Sequence, residues 1–187
     1  MIAFDEATHT YSESGQVIPS VTQILSGEGL VTYFNIDPWY LERGKAIHKA
    51  CEYFDKGILD WDFVDPQIIG FVSAYMNFRT ELEYGYDLSH IEESLYHPIY
   101  HYAGTPDRFL PLLDIKGVQG CELQLEAYAE LLRANKINPG REAYTLHLKE
   151  DGTYKSVPYK FNRTNLGIFL SAVTLYNYKR SLKNGKC

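Results

Sequence analysis

Gly104-Thr105-Pro106-Asp107-Arg108-Phe109-Leu110-Pro111-Leu112-Leu113-Asp114-Ile115-Lys116 is the stretch on which the reading of this chain turns. Its period is two, and it reads as two successive strands, Tyr100 to Leu110 and Leu112 to Lys116. Asp114 and Lys116 are two apart, so both side chains leave one face of the strand. Asp107 lies on the strand before and can sit beside Asp114. Two adjacent carboxylates repel unless a cation joins them. Oxygen ligands at this density suit Mg²⁺ or Mn²⁺. A lysine at such a site can hold or deprotonate a water and counter charge on a phosphate. An isolated Asp-x-Lys is far more often a solvated pair at a strand end. Here Leu112, Leu113 and Ile115 make the strand apolar and central, where charges are costly without a task.

Working outward, the period changes on both sides. Phe4 to Tyr11 and Val17-Ile18 flank Ser14-Gly15 and predict a small N-terminal hairpin. Pro19-Ser20-Val21-Thr22 opens a short helix stopped by Gly27 and Gly29. Asp37-Pro38 is an N-cap with proline at the first helical position. It predicts a helix to about Lys56, with an apolar stripe of Tyr40, Ile47, Cys51 and Phe54. Asp65-Pro66 predicts a second such helix, carried by Ile69, Val72, Met76 and Leu82 to about Tyr84. Leu88 to Tyr96 is the first strand of the meander that contains the opening stretch. After it come a helix from Glu122 to Asn135, a hairpin around Asp151-Gly152, and a last helix from Asn165 to Lys183. The order predicts an α/β or α+β protein in one domain, residues 1–187, with no repeat and no linker.

Three further features converge on the two aspartates. In Arg43-Gly44-Lys45-Ala46-Ile47-His48, Gly44 lies one turn before His48 and leaves room there for a ligand, at a cost of ~1 kcal/mol to the helix. Gln124 and Tyr128 stand i,i+4 on the helix that follows Lys116. Glu92, in Glu92-Glu93-Ser94-Leu95, puts another carboxylate near the same edge, ahead of Glu52 as a candidate. Each alone has an ordinary structural explanation: a satisfied helix histidine, a boundary polar pair, a solvated strand face.

Composition narrows the class. Hydrophobic residues at 45% and charged residues at 22% exclude a disordered chain. Eighteen Lys+Arg against 24 Asp+Glu give −6, so no wholesale basic field faces a nucleic acid. A local strip would have to serve, with Arg43, Lys45, Lys49, Arg108 and Lys116 as candidates and a second basic group at Lys179, Arg180, Lys183 and Lys186. Cys51, Cys121 and Cys187 are too few and too scattered for a disulfide framework or a cysteine metal site. The N-terminus predicts no signal peptide and no apolar run predicts a membrane span, so a cytoplasmic location is expected.

Pro106-Asp107 with Asp114-Ile115-Lys116 is a literal PD-(D/E)XK pattern. With Gly44-x-x-x-His48 upstream and Gln124-x-x-x-Tyr128 downstream, the chain resembles the RecB-like nucleases, and most of all their compact phage-type exonuclease branch. Pro19-Ser20-Val21-Thr22 after a hairpin is similar to that branch too. The resemblance implies a restriction-endonuclease-like core, a mixed sheet flanked by helices. It implies metal-dependent hydrolysis of DNA, as an exonuclease of phage recombination or DNA repair, alongside a recombination partner protein. Carried over, His48, Asp107, Asp114 and the Ile115 carbonyl would ligate Mg²⁺ or Mn²⁺, and Lys116 would be the catalytic lysine. Gln124, Tyr128 and Glu92 would support the site or touch DNA, and Arg43 would contact phosphate. No iron–sulfur cluster is expected. Two other readings stay open: a DNA endonuclease, and a non-catalytic nucleic-acid-binding module on the same fold. The family usually has longer loops than the six residues between Asp107 and Asp114 and the seven between Lys116 and Gln124. Either the hairpin is distorted or loop residues are missing from the sequence.

Overall fold

The computed structural model describes residues 2–5, 8, 10–31, 37–81, 87–110, 112–115 and 121–183. Five helices occur among them: α1 (Val21–Gly27), α2 (Pro38–Asp55), α3 (Ile69–Glu81), α4 (Cys121–Ala134) and α5 (Arg163–Lys183). The strands are β1 (Ile2–Asp5), β2 (Thr10–Glu13), β3 (Gln16–Ile18), β4 (Asp87–Ile91), β5 (Leu95–Tyr96), β6 (Ala103–Gly104), β7 (Arg108–Leu110), β8 (Leu112–Ile115), β9 (Glu142–Leu148) and β10 (Tyr154–Lys160). The main sheet runs β10-β9-β8-β7-β4. Only β8 and β9 are parallel among its pairs, so the sheet is mixed and the class α/β. A parallel pair needs a crossover, and α4 supplies it.

All four residues of β8 are buried, as an apolar central strand requires. Leu112 belongs to the core against α1, α4 and α5, with Ile24, Leu125, Leu131 and Phe169. Leu113 and Ile115 belong to the core against α2 and α3, with Ile47, Cys51, Val72, Tyr75 and Phe78. The alternation of one strand thus covers the sheet with helices on both faces.

Local chemistry sets the element ends. Ser20 and Gln23 form a reciprocal capping box at α1, and Asp37 caps α2 with Pro38 behind it. Gly57, at φ +68°, closes α2. Four expectations shift. The N-terminal hairpin is a three-stranded meander, because Phe4 to Tyr11 is two strands, β1 and β2. Its β2–β3 turn is the predicted Ser14-Gly15, both at positive φ. The α3 helix begins at Ile69, because Asp65 caps a separate turn through Gln67. Its inner face is Val72, Tyr75 and Phe78, while Ile69 is exposed. In α2 the first turn is exposed, so Tyr40 leaves the predicted stripe.

The largest difference lies in the meander. Leu88 to Tyr96 is not one strand but two, and neither is Tyr100 to Leu110. β4 and β7 pair in the main sheet, whereas β5 and β6 form a separate two-stranded sheet. The break falls at Glu92, a non-glycine residue at φ +52°, and opposite it at Thr105 to Asp107. Pro106 has no N–H for a ladder, and a left-handed residue cannot continue one. A bond from the Glu92 N–H to the Asp107 carbonyl, 3.3 Å, holds the fork closed. The β7–β8 register pairs Arg108 with Leu113, and continuing it sets Asp107 opposite Asp114.

Candidate metal centre

The fork brings Glu92, just after β4, beside Asp107, just before β7, and α2 brings His48 to both. One ligand atom from each of the three lies within 4.8 Å of the others. His48 Nδ1 is 3.3 Å from Asp107 Oδ1. The second Asp107 oxygen accepts the Ile115 N–H at 2.6 Å, which fixes the carboxylate against β8. Burial works against charge on His48, yet Asp107, Glu92 and Asp114 outweigh it and lift the imidazole to about 9. Burial and the Asp107 charge push Glu92 up to about 8, against the pull of His48 and Arg108. The cluster therefore retains protons at neutral pH where a divalent cation would otherwise balance its charge. One imidazole nitrogen with hard carboxylate oxygens suits Mn²⁺ or Mg²⁺, so the residues fit the ion that the sequence pattern implies.

Asp114 is buried on β8 but does not belong to that trio. Gln124 Nε2 reaches its Oδ1 at 3.5 Å and donates to the Tyr128 hydroxyl at 2.9 Å. Gln124 and Tyr128 are both buried, and Gln124 links the Tyr128 hydroxyl to Asp114. Gly104 makes the arrangement feasible: a Cβ there would lie 2.8 Å from the Tyr128 ring. A chain of hydroxyls, Tyr11 to Thr105 at 2.8 Å and Ser94 to Thr105 at 3.0 Å, ties β2 to the fork.

Beneath the site lies a group that the sequence reading missed. Arg108, one of the candidate phosphate contacts, is fully buried and cannot reach a phosphate. Its Nε pairs with Asp55 at 2.5 Å, its Nη1 donates to the Asp107 carbonyl, and the same nitrogen is 3.5 Å from Glu92. Asp55 also receives Arg79 Nε at 2.8 Å and the Tyr75 hydroxyl. Burial alone disfavours the Arg108 charge, but Tyr75, Asp55 and Asp107 outweigh it. A signal for this existed. Asp55 ends α2, where an acidic side chain opposes the helix dipole unless a cation meets it.

The remaining candidates scatter. Arg43 lies at 4.5 Å over the Trp39 ring and 5.1 Å over Tyr40 and Phe71. Lys45 is paired with Glu42, and Glu52 with Lys49 and Lys56. Lys179 pairs with Glu28 and Arg180 donates to the Val17 carbonyl, so part of the C-terminal basic group fastens α5 to the N-terminal elements. Lys116 lies outside the described residues, as does Lys186. No described helix is long and apolar enough to cross a membrane. The chain matches no protein-family model and no curated protein.

Proposed function

We propose that this chain is a Mg²⁺- or Mn²⁺-dependent deoxyribonuclease with a restriction-endonuclease-like core, acting as an exonuclease in phage recombination or DNA repair. The observation that carries the reading is the convergence of His48, Glu92 and Asp107 from three separate elements, with Asp114 on the adjoining strand. The order α2, β4, β7, β8, α4 and a parallel β9 also supports it. Glu92, assigned a supporting role by the family pattern, is nearer to a ligand in this geometry than Asp114.

Bound there, the ion would activate a water and stabilise charge on the phosphodiester. His48, Glu92 and Asp107 would hold it, with Asp114 and the Ile115 carbonyl as the further ligands the family pattern names. The Ile115 N–H orients Asp107, and Gln124 orients Asp114. Arg108 keeps the Asp107 backbone and Glu92 in register from below. Lys116 is the candidate for holding the attacking water.

The test is end-labelled linear DNA, duplex and single-stranded, incubated with Mn²⁺, Mg²⁺ or EDTA, alongside Asp107→Asn and Asp114→Ala. Cleavage that needs the metal and disappears in both variants is expected. Binding without cleavage would favour the non-catalytic module. Nicking of a closed circle would favour an endonuclease.

A further inference from the structure

The first turn of α2 presents Trp39 and Tyr40, 46% and 54% exposed, with ring centroids 4.8 Å apart and planes nearly perpendicular. The Arg43 guanidinium lies 4.5 Å from the Trp39 ring centroid and 5.1 Å from those of Tyr40 and of Phe71 on α3. Arg43 has no acidic partner among the described residues. A cation held in place by aromatic faces, with no carboxylate to neutralise it, is complementary to an anion that carries its own π-system.

The neighbouring charges narrow the choice. Lys45 and Lys49, the other cations of this part of α2, are engaged by Glu42 and Glu52. Little free positive charge is left to track the two phosphate backbones of a duplex, and the chain as a whole carries −6. Affinity here has to come from ring stacking, which only unpaired bases offer. Between the aromatic group and His48 stands Gly44, where an added Cβ would meet no described atom within 4 Å beyond its chain neighbours and the adjacent helix backbone. Eight residues at about 1.5 Å each put ~12 Å of helix between Tyr40 and His48. That is the length of three to four stacked nucleotides at ~3.4 Å.

We propose that Trp39, Tyr40 and Arg43 form a subsite that stacks an unpaired nucleobase and contacts its phosphate, making an unpaired DNA strand the substrate class of the metal centre. The substrate assignment rests on the nuclease reading; the stacking subsite does not. The strand passes over Gly44 on its way to His48, and an end that is fully paired has to fray before it engages.

Only two tryptophans are present, so a Trp61→Phe variant leaves Trp39 as the sole reporter. In EDTA, where nothing is cut, a short oligodeoxyadenylate should quench Trp39 emission. It should bind at least about tenfold more tightly than a blunt duplex of equal length. Trp39→Ala and Tyr40→Ala, both at exposed positions, should keep the parent circular dichroism and melting temperature and weaken oligonucleotide binding by about tenfold or more. Unmoved Trp39 emission with full-strength binding by Trp39→Ala overturns the subsite. So does self-association that Trp39→Ala abolishes with no quenching, which would make the patch a contact between copies. Quenching without Mn²⁺-dependent cleavage by the parent protein would retain the subsite and sink the nuclease reading. Cleavage indifferent to Trp39→Ala, with no quenching, would do the reverse.

Discussion

Two charged clusters share Arg108 and differ in balance. Around Asp55, one carboxylate meets two guanidinium groups and a phenol, with the Asp55 side chain wholly buried and Arg108 wholly buried. A few ångströms away, Glu92 and Asp107 meet one imidazole, with His48 about a third exposed. The first cluster is closed and supplied with cations from within the chain. The second is acid-rich and open, and it keeps its protons well above their usual range. A buried carboxylate met by the chain's own guanidinium groups holds a fold together. A partly open cluster whose acids are offset largely by retained protons is the one that a cation from outside would complete.

The sharpest way to break this comparison is one substitution in each cluster. Asp55→Ala should cost about 3–5 kcal/mol, since it takes the carboxylate away from two largely buried guanidinium groups. Glu92→Gln should be nearly neutral at pH 7 without metal, because burial already keeps Glu92 protonated there and the amide replaces the acid at the same shape. It should still weaken Mn²⁺ binding by at least about tenfold, through loss of a ligand that can carry charge. Denaturant unfolding and calorimetric titration with Mn²⁺ read the two effects separately. A large stability loss in Glu92→Gln, or a mild one in Asp55→Ala, would erase the distinction.

The same contrast explains what could be read in the sequence. Asp107 and Asp114 were legible because period two and the apolar Leu112, Leu113 and Ile115 place them on adjoining strands near the middle of a sheet. His48 was legible from its helix, and Gln124 with Tyr128 from their i,i+4 spacing. The fork at Glu92 was not, because nothing local marks a glutamate for a left-handed backbone; tertiary contacts impose it. Arg108 was misread as a solvent-facing cation because its partner, Asp55, is 53 residues away. Tyr40 satisfied the helical spacing of a core stripe, but it lies in the exposed first turn of α2 and is 54% exposed.

A smaller effect follows from pH. The folded pKa of His48 is raised from its usual 6.5 to about 9 and that of Glu92 from about 4.5 to about 8. The folded state then binds protons that the unfolded chain has already lost. Both contributions are present at low pH, that of His48 in full below 6.5. They are lost as pH rises through the folded values, about 8 for Glu92 and about 9 for His48. Metal-free protein should therefore lose stability between about pH 6.5 and 9. Saturating Mn²⁺ should reverse the trend, since the ion displaces those protons and binds better as pH rises. Thermal melts across that range in EDTA and in Mn²⁺ check both signs. A melting temperature in EDTA that climbs over the same interval would show that the acids of the site are balanced after all.

The smallest effect separates packing from function at one position. Gly44 sits in the interior of α2, where glycine costs about 1 kcal/mol relative to alanine, yet among the described residues no atom beyond its chain neighbours and the adjacent helix backbone lies within 4 Å of where its Cβ would be. Packing therefore gives no reason for it, unlike Gly104 against Tyr128 or Gly70, where a Cβ would fall 1.7 Å from the Glu150 carbonyl oxygen. Gly44→Ala should raise stability by about 0.5–1 kcal/mol, or roughly 1–4 °C in melting temperature for a chain of this size. If a DNA strand crosses this turn toward His48, the added methyl should also slow cleavage. A more stable protein with unchanged turnover would mean the open space beside His48 is unused. A less stable one would mean that α2 needs the glycine for a reason other than contact. A more stable, slower enzyme would place the substrate path along the open side of α2, next to the acid-rich cluster.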